Sequence, residues 1–197
     1  MDTIGQGGMG TVHRALDKLT NQIIALKRVR VFQAGDSQNA LDVRLALAQE
    51  FRLMATLRHP NIVSVLDYGF DSDGHPFFTM ELIEGATDIL TAAAGLGVRA
   101  KVLLLIQALL ALSYLHRRGV VHRDLKPENL LVVNGHLRLL DFGISAAQGT
   151  SEVSSDGMVS GTLAYLAPEL LRGAQPQPTS DLYSIGIMLY QLLVGRH

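Results

Sequence analysis

Cysteine is missing from this chain altogether, which excludes disulfides and thiolate metal sites and fits a reducing, cytoplasmic setting. A marked excess of either charge is missing too. The formal net charge is −1, so no overall basic field directs the chain to nucleic acid or an anionic membrane. No apolar run reaches the roughly 20 residues that a membrane span requires. The greasiest stretch, Val102 to Leu112, is broken by Gln107 and reads as a buried helix of a soluble core. The opening residues Met1 to Gly5 lack the charged and apolar regions of a secretory signal. Internal repeats and low-complexity linkers are absent. What remains is 48% hydrophobic and 18% charged residues over 197 positions. That is the balance of a folded protein, long enough for one sizeable domain or two small lobes sharing a cleft.

The first part of the chain is rich in strand signals. Thr11–Leu16 and Gln22–Val29 read as strands joined by the turn-prone Asp17-Lys18-Leu19-Thr20-Asn21. Leu47, Phe51, Met54 and Leu57 recur at helical spacing within 40–57, and His59-Pro60-Asn61 ends the pattern because the residue before proline is pushed out of the α region. Two more strands are expected at 62–67 and 76–83, across Asp71-Ser72-Asp73-Gly74. Beyond Glu84-Gly85 the character turns helical. A long apolar helix is expected over 98–117, with Gly119 suited to a left-handed cap. Short runs at 130–133 and 137–140 flank Asn134-Gly135, a two-residue hairpin signal. Residues 148–160 read as a loop and 180–194 as a final helix. A domain boundary near Leu82 divides 1–81 from 82–197.

Several clusters carry chemistry. In Gly5-Gln6-Gly7-Gly8-Met9-Gly10-Thr11-Val12, glycines let backbone N–H groups approach phosphates without Cβ interference. A Walker loop would continue Gly-Lys-Ser/Thr and a dinucleotide loop would open a helix, whereas here a strand follows. On its own the motif also fits a plain glycine-rich turn. Lys27, on the strand behind it, has the reach to touch phosphates if a group such as Glu50 holds it; taken alone, the two read as unrelated surface residues. The decisive segment is His122-Arg123-Asp124-Leu125-Lys126-Pro127-Glu128-Asn129. Asp124 supplies an acceptor for a hydroxyl proton, Lys126 a cation for a transferring phosphoryl group, and Asn129 a neutral oxygen ligand. Further on, Asp141-Phe142-Gly143 adds a carboxylate, and Asn129 with Asp141 offers the hard oxygens that Mg²⁺ prefers.

In this order the motifs resemble the eukaryotic-type protein kinase family, and the likeness extends through Ala167-Pro168-Glu169 to Asp181. The resemblance implies an α+β, bilobal kinase-like fold: a small antiparallel sheet lobe with one helix, and a mainly helical large lobe. It implies ATP and Mg²⁺ as cofactors. Gly5, Gly7 and Gly10 would cover the phosphates, and Lys27, paired with Glu50, would orient them. Asp124 would position the acceptor hydroxyl, with Asn129 and Asp141 holding the metal. Val12, Ala25 and Leu131 would sandwich the adenine, Met80 would be the gatekeeper, and backbone groups of Glu81 and Ile83 would bind the base. Met54, Val65, His122 and Phe142 resemble the family's stacked spine, with Asp181 anchoring its base. Lys126-Pro127-Glu128 is similar to the Ser/Thr branch, and the Gly-Gly-Met-Gly loop is similar to bacterial members. Arg123 resembles the class in which a phosphorylated loop hydroxyl, here among Thr150, Ser151, Ser154, Ser155 and Ser160, pairs with that arginine. Thr162 would shape the acceptor pocket.

Departures from the pattern carry expectations too. Only Met1 to Ile4 precede the glycine motif, so a stub is expected where the first strand should stand, with a floppy glycine hairpin. The chain ends at His197, so it is expected to be truncated at both ends, with Glu169 lacking its usual arginine partner and with further regulatory domains in a longer parent. Leu163 and Leu166 differ from the family's commoner residues and put peptide preference in question. The leading function is an ATP-dependent protein Ser/Thr kinase in signal transduction, with a protein substrate. The alternatives are a nucleotide-binding pseudokinase or regulatory fragment, and a small-molecule kinase on the same scaffold.

Overall fold

Strand-forming sequence dominates the start of the chain and builds a five-stranded antiparallel sheet in the computed structural model, which describes residues 2–7, 10–29, 48–49, 51–140 and 161–195. Its strands are β1 (Asp2–Gly7), β2 (Gly10–Asp17), β3 (Gln22–Val29), β4 (Val65–Phe70) and β5 (Pro76–Glu81), in the spatial order β1-β2-β3-β5-β4. The expected stub is instead a paired strand. Asp2–Gly7 runs along β2 from Asp2↔Arg14 to Gly7↔Gly10, with an irregularity between Thr3 and Gly5. The backbone groups of the glycine motif find ladder partners on β2, and extended backbone costs glycine nothing sterically. β4 begins three residues later than expected because Ile62 is diverted into a parallel bridge with Leu139.

One face of this sheet is buried. Successive side chains on a strand alternate, so Ala25, Lys27 and Val29 share a face, and all three are buried. A helix, α1, is seen over residues 51–56. Its Phe51 ring packs tilted against Phe78, with centroids 5.3 Å apart, and stacks on Tyr68 at 5.6 Å. Contacts of this kind add about 0.5–1.5 kcal/mol beyond area burial. At the β4–β5 turn, Asp71 accepts the N–H groups of Asp73 and His75 and pairs with Arg28. These residues, drawn from 1–58 and 63–83, form one compact unit.

The second unit comprises 59–62 and the described residues from Glu84 onward. Its helices are α2 (Ile89–Ala93), α3 (Val98–His116), α4 (Pro168–Leu171) and α5 (Pro178–Val194). Its three strands are β6 (Thr87–Asp88), β7 (Leu130–Val133) and β8 (His136–Leu139), in that spatial order. Asn134 and Gly135 have φ of 51° and 77°, the left-handed pair a two-residue hairpin turn requires. Contrary to the expectation that no apolar run is long enough, α3 could cross a membrane by length and composition alone, because the helix extends beyond 102–112 at both ends. In the fold it buries Leu104, Leu105, Ala108, Ala111, Leu112 and Leu115, packing against α5 and β8.

Gln107, the polar break in α3, ties this unit together. Its Oε1 accepts from Asn61 Nδ2 at 3.0 Å and from Leu137 N at 2.9 Å, and its Nε2 donates to the Gly135 carbonyl at 3.0 Å. Asn61 Nδ2 also donates to the Leu137 carbonyl, and Arg138 donates to the Pro60 carbonyl. The His59-Pro60-Asn61 stop signal is therefore a docking point as well as a helix end. Lys101 Nζ reaches the Leu192 carbonyl at 2.6 Å, satisfying one of the carbonyls that the last turn of α5 leaves without an intrahelical partner.

Candidate active site

In the first unit, the strand register gathers one group of the sequence-predicted site residues. Val12 lies opposite Lys27, Lys27 opposite Phe78, and Ala25 opposite Met80. Directly opposed residues share a face, so Val12, Ala25, Lys27 and Met80 stand together. Lys27 is 4% exposed, unusual for a lysine, and its Nζ lies 5.8 Å from the Phe78 ring centroid. Among the described glycines of the motif, Gly5, Gly7 and Gly10, only Gly10 has a backbone that demands glycine, with φ of 138°. A Cβ at Gly7 would meet nothing within 4 Å, and one at Gly5 only Val12 at ordinary contact distance. The Glu81 N–H donates to the Ser64 carbonyl at 3.1 Å, which fixes the end of β5, and the half-buried Ile83 follows. Glu50 lies outside the described residues.

In the second unit, a loop and a single turn of helix, Pro127–Asn129, present the other group. Asp124 is 9% exposed. Lys126 Nζ stands 2.9 Å from its Oδ2. Asn129 Nδ2 donates to the Asp124 carbonyl at 2.7 Å and sits 3.3 Å from Oδ2. With the amide nitrogen committed there, the Asn129 Oδ1 is the end offered to a cation. Leu140, which precedes Asp141, is held from both sides: its N–H donates to the Asn129 carbonyl at 2.9 Å and its carbonyl accepts from His122 Nε2 at 2.8 Å. Leu131 lies on β7, opposite Asp88 and Arg138. Asp141, Phe142 and the five loop hydroxyls lie outside the described residues, as does the Thr162 side chain.

The loop takes its shape from Asp181 of α5, which is 2% exposed. Its Oδ2 accepts the His122 N–H at 2.9 Å, its Oδ1 accepts the Arg123 N–H at 3.0 Å, and His116 Nε2 lies 2.7 Å from Oδ2. Arg123 has φ of 75°. A non-glycine residue there costs on the order of 1–3 kcal/mol and persists only where its surroundings impose it. The buried carboxylate supplies that constraint, one residue ahead of Asp124. His116, which the motifs do not mark, completes this anchor. A histidine at the end of a helix that faces a buried aspartate is visible only once α3 and α5 pack together. Glu169 finds its partner in Ser180, whose Oγ donates at 2.7 Å and holds the carboxyl below its usual range.

An antiparallel sheet unit carrying a buried lysine, and a helical unit carrying an aspartate-anchored Asp-Lys-Asn loop, define the class. The protein kinase domain family model matches residues 1–197, and the chain belongs to that family. It is 41% identical over 195 residues to the serine/threonine-protein kinase PknL of Mycobacterium tuberculosis, covering 98% of this chain and 48% of that protein. It is 35% identical over 196 residues to the serine/threonine-protein kinase PrkC of Bacillus subtilis, covering 98% of this chain and 30% of that protein. Among solved structures, Rad53 1–466 in complex with AMP-PNP matches with a TM-score of 0.75 at 28% identity, covering 99% of this chain and 47% of that one. The fold is the α+β protein kinase fold, and the chain spans about half the length of PknL.

Proposed function

We propose that this chain is the catalytic part of an ATP-dependent protein Ser/Thr kinase that acts in signal transduction. The observation that carries the reading is the hydrogen-bonded set of Asp124, Lys126 and Asn129 on a loop fixed by Asp181. In this reaction the oxygen of a Ser or Thr hydroxyl bonds to the γ-phosphorus of ATP. The bond from that phosphorus to the β,γ-bridging oxygen breaks, ADP leaves, and the hydroxyl proton passes to Asp124. Lys126 offsets charge on the transferring group, and Lys27 orients the α- and β-phosphates. Gly5, Gly7 and Gly10 bring backbone N–H groups to the phosphates. Val12, Ala25 and Leu131 contact the base, Met80 bounds its pocket, and Glu81 and Ile83 bind it through the main chain. Glu50 is assigned to hold Lys27. Little covalent work falls to the protein, so its contribution is positioning and charge stabilisation.

Asn129 Oδ1 and Asp141 are the groups that would hold Mg²⁺. A neutral amide oxygen, oriented by an amide nitrogen tied to Asp124, suits a hard cation. When bound, the ion supplies charge neutralisation at the phosphates.

The test is transfer of labelled γ-phosphate to a protein acceptor by the full-length protein, beside Asp124→Asn and Lys27→Met. Each variant is expected to lose on the order of 10²-fold or more in kcat/KM. Wild-type-like transfer by Asp124→Asn would overturn the assignment. Tight ATP binding with no transfer by the wild-type protein would favour the pseudokinase alternative.

A further inference from the structure

The chain enters the second unit at His59 and leaves it again after Ile62. This short loop is pinned by a ring nitrogen that must carry no proton. His59 Nδ1 accepts the Asn61 N–H at 3.1 Å, so in this fold the ring's one proton sits on Nε2. The His59 carbonyl accepts the Ile62 N–H at 3.0 Å and closes the turn a second time. Held this way, Asn61 meets its partners: its side chain donates to Gln107 and Leu137, and its carbonyl accepts the Leu139 N–H at 2.8 Å. Leu140 follows, gripped between Asn129 and His122. Hydrogen and covalent bonds therefore run unbroken from a titratable ring to the residue ahead of Asp141.

The surroundings of that ring make a second proton costly. His59 packs tilted on Tyr114 of α3, with ring centroids 5.1 Å apart, and Arg118 lies over the same tyrosine ring at 3.8 Å. One cation thus already engages the tyrosine. The charged side chains on and beside the loop are cations too. Arg138 of β8 donates to the Pro60 carbonyl, and Arg58 donates to the Ala55 and Leu57 carbonyls. Among the described residues no carboxylate pairs with the His59 ring. Half-buried, the ring is held below its ordinary 6.5 by the loss of water around it. A second proton would also set Nδ1 against the Asn61 N–H, donor against donor.

We propose that His59 is a proton-operated latch: neutral, it fastens the 59–62 loop to α3 and β8, and on acidification it frees that loop and loosens Leu139 and Leu140 behind it. A ring with a depressed folded value stabilises the fold above its ordinary value. That contribution is lost as pH falls through the folded value, so release is an acid event. The latch acts whether or not the Asp124 loop transfers phosphate. Two other histidines lie on the elements it holds: His116 of α3 faces Asp181, and His136 is exposed at the start of β8.

The experiment is hydrogen–deuterium exchange of the full-length protein, read by mass spectrometry over 59–62 and 137–140 and corrected for the intrinsic effect of pH on exchange. Wild type is compared at about pH 7.5 and about pH 5 with His59→Asn, whose side-chain oxygen accepts an N–H and does not titrate. In wild type, protection of both segments is expected to fall several-fold on acidification, up to about tenfold, the worth of one hydrogen bond. In His59→Asn, which keeps His116 and His136, it should hold within about twofold. An equal fall in both proteins would place the acid response elsewhere and overturn the latch, as would no fall in wild type. A fall confined to 59–62 would overturn the link to Leu139 and Leu140. Should His59→Asn not fold, ring-nitrogen NMR of the wild type decides. A proton on Nδ1 at neutral pH, or a ring that titrates while 59–62 keeps its protection, refutes the proposal. None of these readouts depends on phosphate transfer, so the failure of either reading is seen apart from the other.

Discussion

Asp181 holds Arg123 in a left-handed conformation: its Oδ1 accepts the Arg123 N–H at 3.0 Å while φ of Arg123 stands at 75°. Asp181→Asn keeps one acceptor oxygen but turns an NH₂ group toward an N–H donor. The expected loss is roughly 1.5–3 kcal/mol, the range for hydrogen bonds to a charged group. Urea unfolding of the full-length protein measures it, alongside phosphate transfer. Adding Arg123→Gly should return about 1 kcal/mol, because glycine adopts that φ without steric cost. A double variant no more stable than Asp181→Asn alone would show that the left-handed backbone carries no stored cost.

Gln107 offers a case where hydropathy and structure point in opposite directions. Gln107→Leu makes α3 more apolar, yet it removes the bonds to Asn61, Leu137 and Gly135. Leaving those groups unpaired is expected to destabilise the protein by about 1–3 kcal/mol. Thermal or urea unfolding decides the question. Equal or greater stability of Gln107→Leu would mean that the amide is a tolerated interruption and not a tie.

These two cases mark what a sequence reveals and what it withholds. Local signals were enough where a short stretch determines its own backbone. Asn134-Gly135 specified the β7–β8 turn, and the glycine motif specified strand rather than helix after Gly10. Asp124, Lys126 and Asn129 stand within a few residues of one another, so their convergence was readable from one loop. Partners far apart in sequence were not. Asp181 is marked only by resemblance, its contact with His116 is not marked at all, and Ile62 reads as strand in sequence, since its bridge to Leu139 exists only in the folded arrangement. The start of α5 at Pro178 lay two residues before the expected Ser180, since proline fits the first turn, where its missing N–H costs nothing.

The glycine motif yields a prediction that separates folding from nucleotide binding. Gly10→Ala places a Cβ on a backbone with φ of 138°. It should destabilise the protein by about 1 kcal/mol or more. Gly7→Ala meets nothing within 4 Å and should shift stability by no more than about 0.5 kcal/mol. If Gly7 brings its backbone to a phosphate, the same methyl group should raise KM for ATP while the melting temperature holds. Unchanged ATP kinetics in Gly7→Ala would remove that residue from the nucleotide site.

Asp88 caps helix α2, accepting from Leu90 N at 2.9 Å, Thr91 N at 3.0 Å and Thr91 Oγ1 at 2.6 Å. Burial pushes its carboxyl upward, but the Thr91 hydroxyl and the backbone N–H groups together outweigh it and hold the group below its ordinary 3.8. A carboxyl with a depressed folded value binds protons less readily when folded than when unfolded. Its stabilisation is therefore complete above the ordinary value and drains away as pH falls through the folded one. Asp88→Ala should cost about 1 kcal/mol at neutral pH, the usual worth of such a cap. Against wild type, that gap should begin to close below about pH 5 and keep closing with further acidification. Asp88→Asn keeps an acceptor oxygen without a titrating group, so its gap to Asp88→Ala should hardly change with pH. Urea unfolding of the three proteins from neutral to acid pH measures both differences. A wild-type-to-alanine gap that stays constant into the acid range would mean that the charge on Asp88 contributes nothing to the cap.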